Sequence, residues 1–238
     1  SLYAATGVRT MIDPSSLDLQ MMGRALELAA KGLYTTKPNP RVGCVIVRDT
    51  EIVAEGWHRE AGKAHAEIGA LDIAGDRARG ADLYVNLEPC CHVGRTGPCA
   101  PALIEAGVRR VVIAMEDPNP KVSGNGIKAL EEAGIAVTVG PRASAARDLN
   151  EGFVLRMERG RPLVRVKLAA SIDGRTAAAD GSSQWITSIE ARQDVHRWRA
   201  ASAAVVTGIG TVASDNPRLN ARLDSDLVQP IRVVLDGK

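Results

Sequence analysis

The stretch ADLYVNLEPCCHVGRTGPCAPALIEAGVRRVVIAME, residues 81–116, decides the fold class. ADLYVNLE (81–88) is rich in apolar residues and predicts a strand that runs straight into a cysteine loop. CAPALIEAG (99–107) carries a proline near its start and a glycine at its end, the usual asymmetry of a helix. RRVVIAME (109–116) predicts another strand. The loop between strand and helix holds three of the chain's four cysteines, so the fold brings reactive side chains to one end of the sheet.

The same alternation continues on both sides. Residues 17–31, LDLQMMGRALELAAK, place apolar residues at helical spacing and stop before Gly32. VGCVIV (42–47) and EIVAEG (51–56) predict a hairpin across the polar turn RDT, and AHAEIGALDIAG (64–75) a helix stopped by glycine. After 116 come the turn DPNPKVSGNG, a helix over IKALEEAG and a strand over IAVTVG (135–140). Strands alternating with helices predict an α/β layer structure on a largely parallel sheet. ASAARDLNEGFVLRMERGRP (143–162) predicts a helix and then a basic Gly/Pro joint, which places a boundary near Arg161. The expected domains are 11–160 and 161–238. The second holds strands at AAVVTG (203–208) and PIRVVLDG (230–237). At about 78 residues it is short for a nucleotide-binding α/β domain and is expected to be incomplete.

Composition excludes several classes. The chain has 238 residues, 45% of them apolar, which suffices for a sizeable core. A net charge of +2 and only 3% aromatic residues leave neither the basic stripe nor the stacking platforms of a nucleic-acid binder. No run of about 18 apolar residues is present, so no membrane span is expected. SLYAATGVRTMIDPSS lacks a signal-peptide pattern, and Met11 reads as the native start. Four cysteines are sparse for a secreted disulfide scaffold, so reduced cytosolic thiols are expected.

His65 and Glu67 form H-A-E at a helix start, Cys90 follows a strand and Cys99 opens the next helix. Two helix N-termini then point at one place and favour thiolate over thiol. One imidazole and two thiolates supply three ligands to zinc and leave the fourth position for water, the catalytic pattern. Zinc acidifies that water, and Glu67 is suited to carry its proton. H-x-E followed by P-C-x-x-C marks zinc nucleobase deaminases. Here eight residues, CHVGRTGP (91–98), stand between the two cysteines. Two other readings stay open: a Cys90–Cys99 disulfide, and a closed structural zinc site with Cys91 or His92 as fourth ligand. Cys44 reads as a small buried residue and Cys91 as a loop residue.

PNPRVGCVIV, HAEIGAL, LEPCCHVGRTGPC and DPNPKVSGNGI, in this order, resemble the deaminase domain of the bifunctional riboflavin-biosynthesis deaminase–reductases. RPLVRVKLAASIDGRTA, SSQWITS and VVTGIGTVASDNPRLNAR resemble the first half of the reductase domain of the same family. The likeness runs from about residue 17 to 238, and at Cys91 the family usually carries serine. It implies a cytidine-deaminase-like three-layer α/β domain followed by a dihydrofolate-reductase-like α/β domain. It implies zinc held by His65, Cys90 and Cys99, with Glu67 as the catalytic proton carrier. The implied reaction is hydrolytic deamination of a diaminopyrimidinone bearing a phosphoribosylamino arm, which Asn39, His58, His92, Arg95, Asp117 and Asn119 contact. The second domain is implied to use NADPH, through Ala169, Trp185, Thr211 and Asp215, to reduce the ribosyl arm. Ser183, Arg199, Leu219 and Arg222 are its implied substrate contacts. A cytoplasmic homo-oligomer without nucleic-acid or membrane partners is expected. The rival reading is another nucleotide or RNA deaminase of the same superfamily.

Overall fold

The computed structural model describes residues 15–91 and 97–237. They form two compact units, one taking in Asn39–Pro162 and the chain before Leu33, the other Leu33–Pro38 and the chain from Leu163 on.

The first unit is built on a five-stranded sheet: β1 (Gly43–Arg48), β2 (Glu51–Trp57), β3 (Asp82–Val85), β4 (Arg110–Ile113) and β5 (Ala136–Val139), in the order β2-β1-β3-β4-β5. β1 pairs antiparallel with both β2 and β3, while β3–β4 and β4–β5 are parallel. The sheet is therefore mixed rather than largely parallel. The β1–β2 hairpin turns at Asp49 and Thr50, both at positive φ (51° and 71°), as a two-residue turn matched to strand twist requires.

Strand alternation sorts the core into two faces. Cys44, Ile46, Leu83, Val85, Val111 and Ile113 point to one side. There they meet α2 (Ala66–Ala74), α3 (Cys99–Ala106) and α4 (Asn125–Glu132), whose apolar faces include Ala66, Ala70, Leu103, Ile127 and Leu130. Val45, Val47, Tyr84 and Val112 point to the other side, under Met21, Met22, Ala25 and Leu28 of α1 (Ser16–Ala30) and Ala146 of α5 (Ala143–Leu149). Each large side chain so buried contributes about 1.5–3 kcal/mol. The result is three layers.

Two glycines let helices lie close on the hairpin. A Cβ at Gly43 would stand 2.0 Å from the Ala25 carbonyl oxygen, and one at Gly56 would stand 2.2 Å from that of Ala66. α1 starts with a capping box between Ser15 and Asp18, and the Asp18 carboxylate also takes Arg110 and the Tyr84 hydroxyl.

Three elements depart from the sequence reading. β3 and β4 end at Val85 and Ile113, short of 88 and 116, because the residues beyond leave the ladder to build the site. The helix predicted through 143–162 breaks at Asn150 into α5 and α6 (Glu151–Arg159). The Asn150 side chain leaves the helical pattern to bond both backbone groups of Arg41.

The second unit has α7 (Ile189–Ala201), α8 (Ile209–Asp215) and a parallel pair, β6 (Ala204–Gly208) and β7 (Ile231–Leu235). Residues 162–170 form neither helix nor ladder. Lys37 donates its ammonium to the carbonyls of Ala200, Ser202 and Val228, which ties the 33–38 segment to the end of α7. Among the described residues no helix is long and apolar enough to cross a membrane.

Candidate metal centre and catalytic site

His65 caps the N-terminus of α2, Cys99 is the first residue of α3, and Cys90 lies in the loop that leaves β3. One donor atom from each falls within 4.8 Å of the others. His65 Nδ1 is 3.2 Å from Cys99 Sγ and 3.5 Å from Cys90 Sγ. Local backbone bonds hold the loop in this shape: Cys99 N–H donates to Cys90 Sγ at 3.4 Å, and Ala100 N–H donates to the Cys90 carbonyl at 3.0 Å. Both cysteines are free thiols, which removes the disulfide reading. Cys91 is not in the donor cluster, and His92 and Arg95 lie outside the described residues. A borderline-soft donor set of one imidazole and two sulfurs fits zinc. Hydrogen bonding with Cys99 pulls the Cys90 thiol well down, so one sulfur is already disposed to be a thiolate. The Cys99 thiol is correspondingly pushed up.

Glu67 sits in the first turn of α2, two residues beyond His65, and is only 3% exposed. Its Oε2 has no hydrogen-bond partner among the described residues. Burial pushes its carboxyl up to about 7, against the pull of His65. A buried acid with an unsatisfied oxygen costs stability and is the kind of group retained for chemistry.

His58 is buried, its ring edge-on to His65 with centroids 5.5 Å apart. Its Nδ1 faces the Ala64 carbonyl at 3.1 Å, which can only accept, so Nδ1 carries the proton. Nε2 then accepts from Asn39 Nδ2, also at 3.1 Å. Both ring nitrogens are thus engaged inside the protein, and His58 lies against the metal cluster. The segment that carries Asn39 is held through Arg41, whose backbone bonds the buried Asn86 and Asn150 side chains.

Asp117 is buried, and desolvation pushes its carboxyl up to about 6. Its Oδ1 accepts from Asn119 N–H at 2.8 Å, which shapes the turn. Sequence reading did not single out Asn86, Glu88 or Asn150. For Asn86 and Glu88 the available signal was polar side chains interrupting a buried apolar run in LYVNLEPC, which must find partners there.

In the second unit, Arg199, Asp215, Leu219 and Arg222 line one cavity of about 440 Å³, with Gln184, Pro217 and Arg218. Burial and the neighbouring Arg222 charge pull the Arg199 guanidinium below its usual range. Ser183, Trp185, Ala169 and Thr211 are not in that lining. Ser183 and Trp185 flank Gln184 in sequence, Thr211 is in α8, and Trp185 is covered by the Arg192 guanidinium at 4.3 Å.

A three-layer sheet with a His–Cys–Cys donor set and a buried glutamate beside it defines a zinc-binding deaminase domain. The cytidine and deoxycytidylate deaminase zinc-binding region matches residues 15–115, and the RibD C-terminal domain matches 162–238. The chain is similar to the RibD riboflavin biosynthesis proteins. It is 53% identical over 233 residues to the Escherichia coli riboflavin biosynthesis protein RibD, covering 93% of this chain and 64% of that one. The Haemophilus influenzae protein is 52% identical over 240 residues, with 96% and 64% covered. Among solved structures, Acinetobacter baumannii RibD superposes with a TM-score of 0.90 at 53% identity, covering 93% of this chain and 64% of that one. A Thermotoga maritima diaminohydroxyphosphoribosylaminopyrimidine deaminase/5-amino-6-(5-phosphoribosylamino)uracil reductase gives 0.86 at 43%, with 92% and 63% covered. The chain thus spans about 64% of the length of these two curated relatives.

Proposed function

We propose that this chain hydrolytically deaminates a 2,5-diamino-6-(5-phosphoribosylamino)pyrimidin-4-one in the riboflavin pathway, through a domain at 11–160. The observation that carries the reading is the buried Glu67 carboxyl, one oxygen unpartnered, beside the His65–Cys90–Cys99 donor cluster. Zinc held by those three residues supplies a Lewis acid that makes water a usable nucleophile near neutral pH. Glu67, buried beside the donor cluster with one oxygen unpartnered among the described residues, takes a proton from the incoming water and returns protons to the ring nitrogen and the leaving amine. The carbon–oxygen bond forms, the carbon–nitrogen bond breaks, and ammonia leaves. Asn39, Asp117 and Asn119 are proposed to hold the pyrimidine, and His92 and Arg95 the phosphoribosyl arm. His58 is proposed to keep His65 in its ligating orientation. Residues 161–238 are proposed as the N-terminal part of an NADPH-dependent reductase of the ribosyl arm. Ala169, Trp185, Thr211 and Asp215 are its proposed cofactor contacts, and Ser183, Arg199, Leu219 and Arg222 its proposed substrate contacts. The working form is proposed to be a cytoplasmic homo-oligomer.

The test is product mass after incubation of the zinc-loaded chain with the diaminopyrimidine phosphoriboside, with and without NADPH. Exchange of the amino group for oxygen supports the deaminase, and added hydrogen with NADPH supports the reductase. Unchanged substrate defeats both.

A further inference from the structure

The cysteine loop and the Asp117–Asn119 turn are far apart in sequence, and one buried side chain joins them. Glu88 stands two residues before Cys90 and is 3% exposed. Its Oε2 accepts from the N–H groups of Asp117 (3.1 Å) and Gly124 (2.9 Å). Its Oε1 accepts from those of Gly126 (2.9 Å) and Ile127 (3.2 Å). Two carboxylate oxygens offer about four lone-pair sites, and these four donors fill them. The backbone is equally tight, since a Cβ at Gly126 would stand 2.0 Å from the Pro89 carbonyl oxygen. Glu88 N–H itself donates to the Met115 carbonyl at 3.1 Å.

We infer that Glu88 is a positioning residue for deamination: it docks the Asp117–Asn119 turn and the start of α4 onto the metal loop, and so sets where the substrate lies against the metal ligands. This rests on the deaminase reading above. Glu88 is not in the donor cluster and its carboxylate is taken up by four backbone N–H groups, so it acts through Asp117 and Asn119. A glutamine there has one acceptor oxygen. Its amide nitrogen would face two backbone N–H groups, releasing one side of the tie.

The experiment compares wild-type and Glu88→Gln chains, both zinc-loaded, in deamination of the diaminopyrimidine phosphoriboside. The expected result is zinc content unchanged, KM raised by about tenfold or more, and kcat within about threefold, the mark of lost binding rather than lost chemistry. An unchanged KM overturns the inference. So does a fall in kcat that follows zinc loss, since Glu88 would then serve the metal loop alone. An inactive wild type would instead sink the deaminase reading itself. If the variant does not fold, amide exchange in the wild type decides. Slowing at Asp117, Gly124, Gly126 and Ile127 on adding the deaminated product supports the inference, and unchanged exchange overturns it.

Discussion

Asn39 donates to Nε2 of His58 at 3.1 Å, while the ring's other nitrogen is committed to the Ala64 carbonyl. Burial holds this imidazole below its ordinary 6.5, so wild-type His58 contributes stability that is full above 6.5 and lost as pH falls toward its folded value. In Asn39→Asp the partner can only accept, so Nε2 must carry a proton and the folded pKa rises. The sign reverses: that variant's contribution is present below 6.5 and lost as pH rises through the raised value. The difference in urea midpoint between variant and wild type should therefore favour the variant increasingly as pH drops. A difference that does not vary with pH would remove the assigned tautomer.

Glu67→Gln should separate activity from stability. Deamination should fall by about 10²-fold to 10⁴-fold, the usual worth of a positioned proton carrier. Zinc content should be unchanged. The thermal midpoint should not fall, because the substitution removes a buried carboxyl whose Oε2 has no partner among the described residues. Metal analysis with a melting curve reads both, and a destabilised variant would mean that Glu67 is chiefly structural.

Thiol labelling should report the metal. In the zinc-loaded chain a maleimide should modify the half-buried Cys91 and spare Cys90 and Cys99. Chelation should expose the half-buried Cys90 first, and its low thiol pKa makes it the fastest to react. Cys44, fully buried, should remain unlabelled until unfolding. Identical labelling before and after chelation would count against the His65–Cys90–Cys99 ligand set.

Gly56→Ala should disturb the site from the opposite side of α2. The new Cβ would press on the Ala66 carbonyl at 2.2 Å, between His65 and Glu67. A loss of about 3 kcal/mol, with weaker zinc retention, is expected from such overpacking. Urea denaturation with a zinc competition assay measures both.

Asp18→Asn tests the other face of the sheet. Burial alone would raise the Asp18 carboxyl, but its bonds with Arg110 and Tyr84 bring it below 3.8. Its contribution is therefore present above 3.8 and lost as pH falls through the folded value. The variant should be less stable by about 3 kcal/mol at neutral pH, as when one partner of a buried pair is removed. The gap should close in strong acid, and urea midpoints across that range read it.

The sequence by itself pointed to His65, Cys90 and Cys99 as a donor group, because H-A-E and Cys99 stand at helix starts whose proline, glycine and apolar spacing are local signals, and Cys90 follows a strand. It also determined an α/β layer structure, because the apolar run VGCVIV and the periodicity in LDLQMMGRALELAAK report buried segments without knowledge of partners; that the layers are three was implied by the family resemblance. The tertiary structure alone decided that β1 runs antiparallel to β3, since strand direction depends on how a hairpin is placed in the sheet. It alone assigned partners to Asn86, Glu88 and Asn150. Each is a polar side chain satisfied by backbone from a distant segment, and no local pattern encodes which distant N–H or carbonyl will arrive. His58 shows the difference within one residue. Sequence resemblance brought it to the site, and only the fold showed that both its nitrogens bond within the protein, with its ring edge-on to His65.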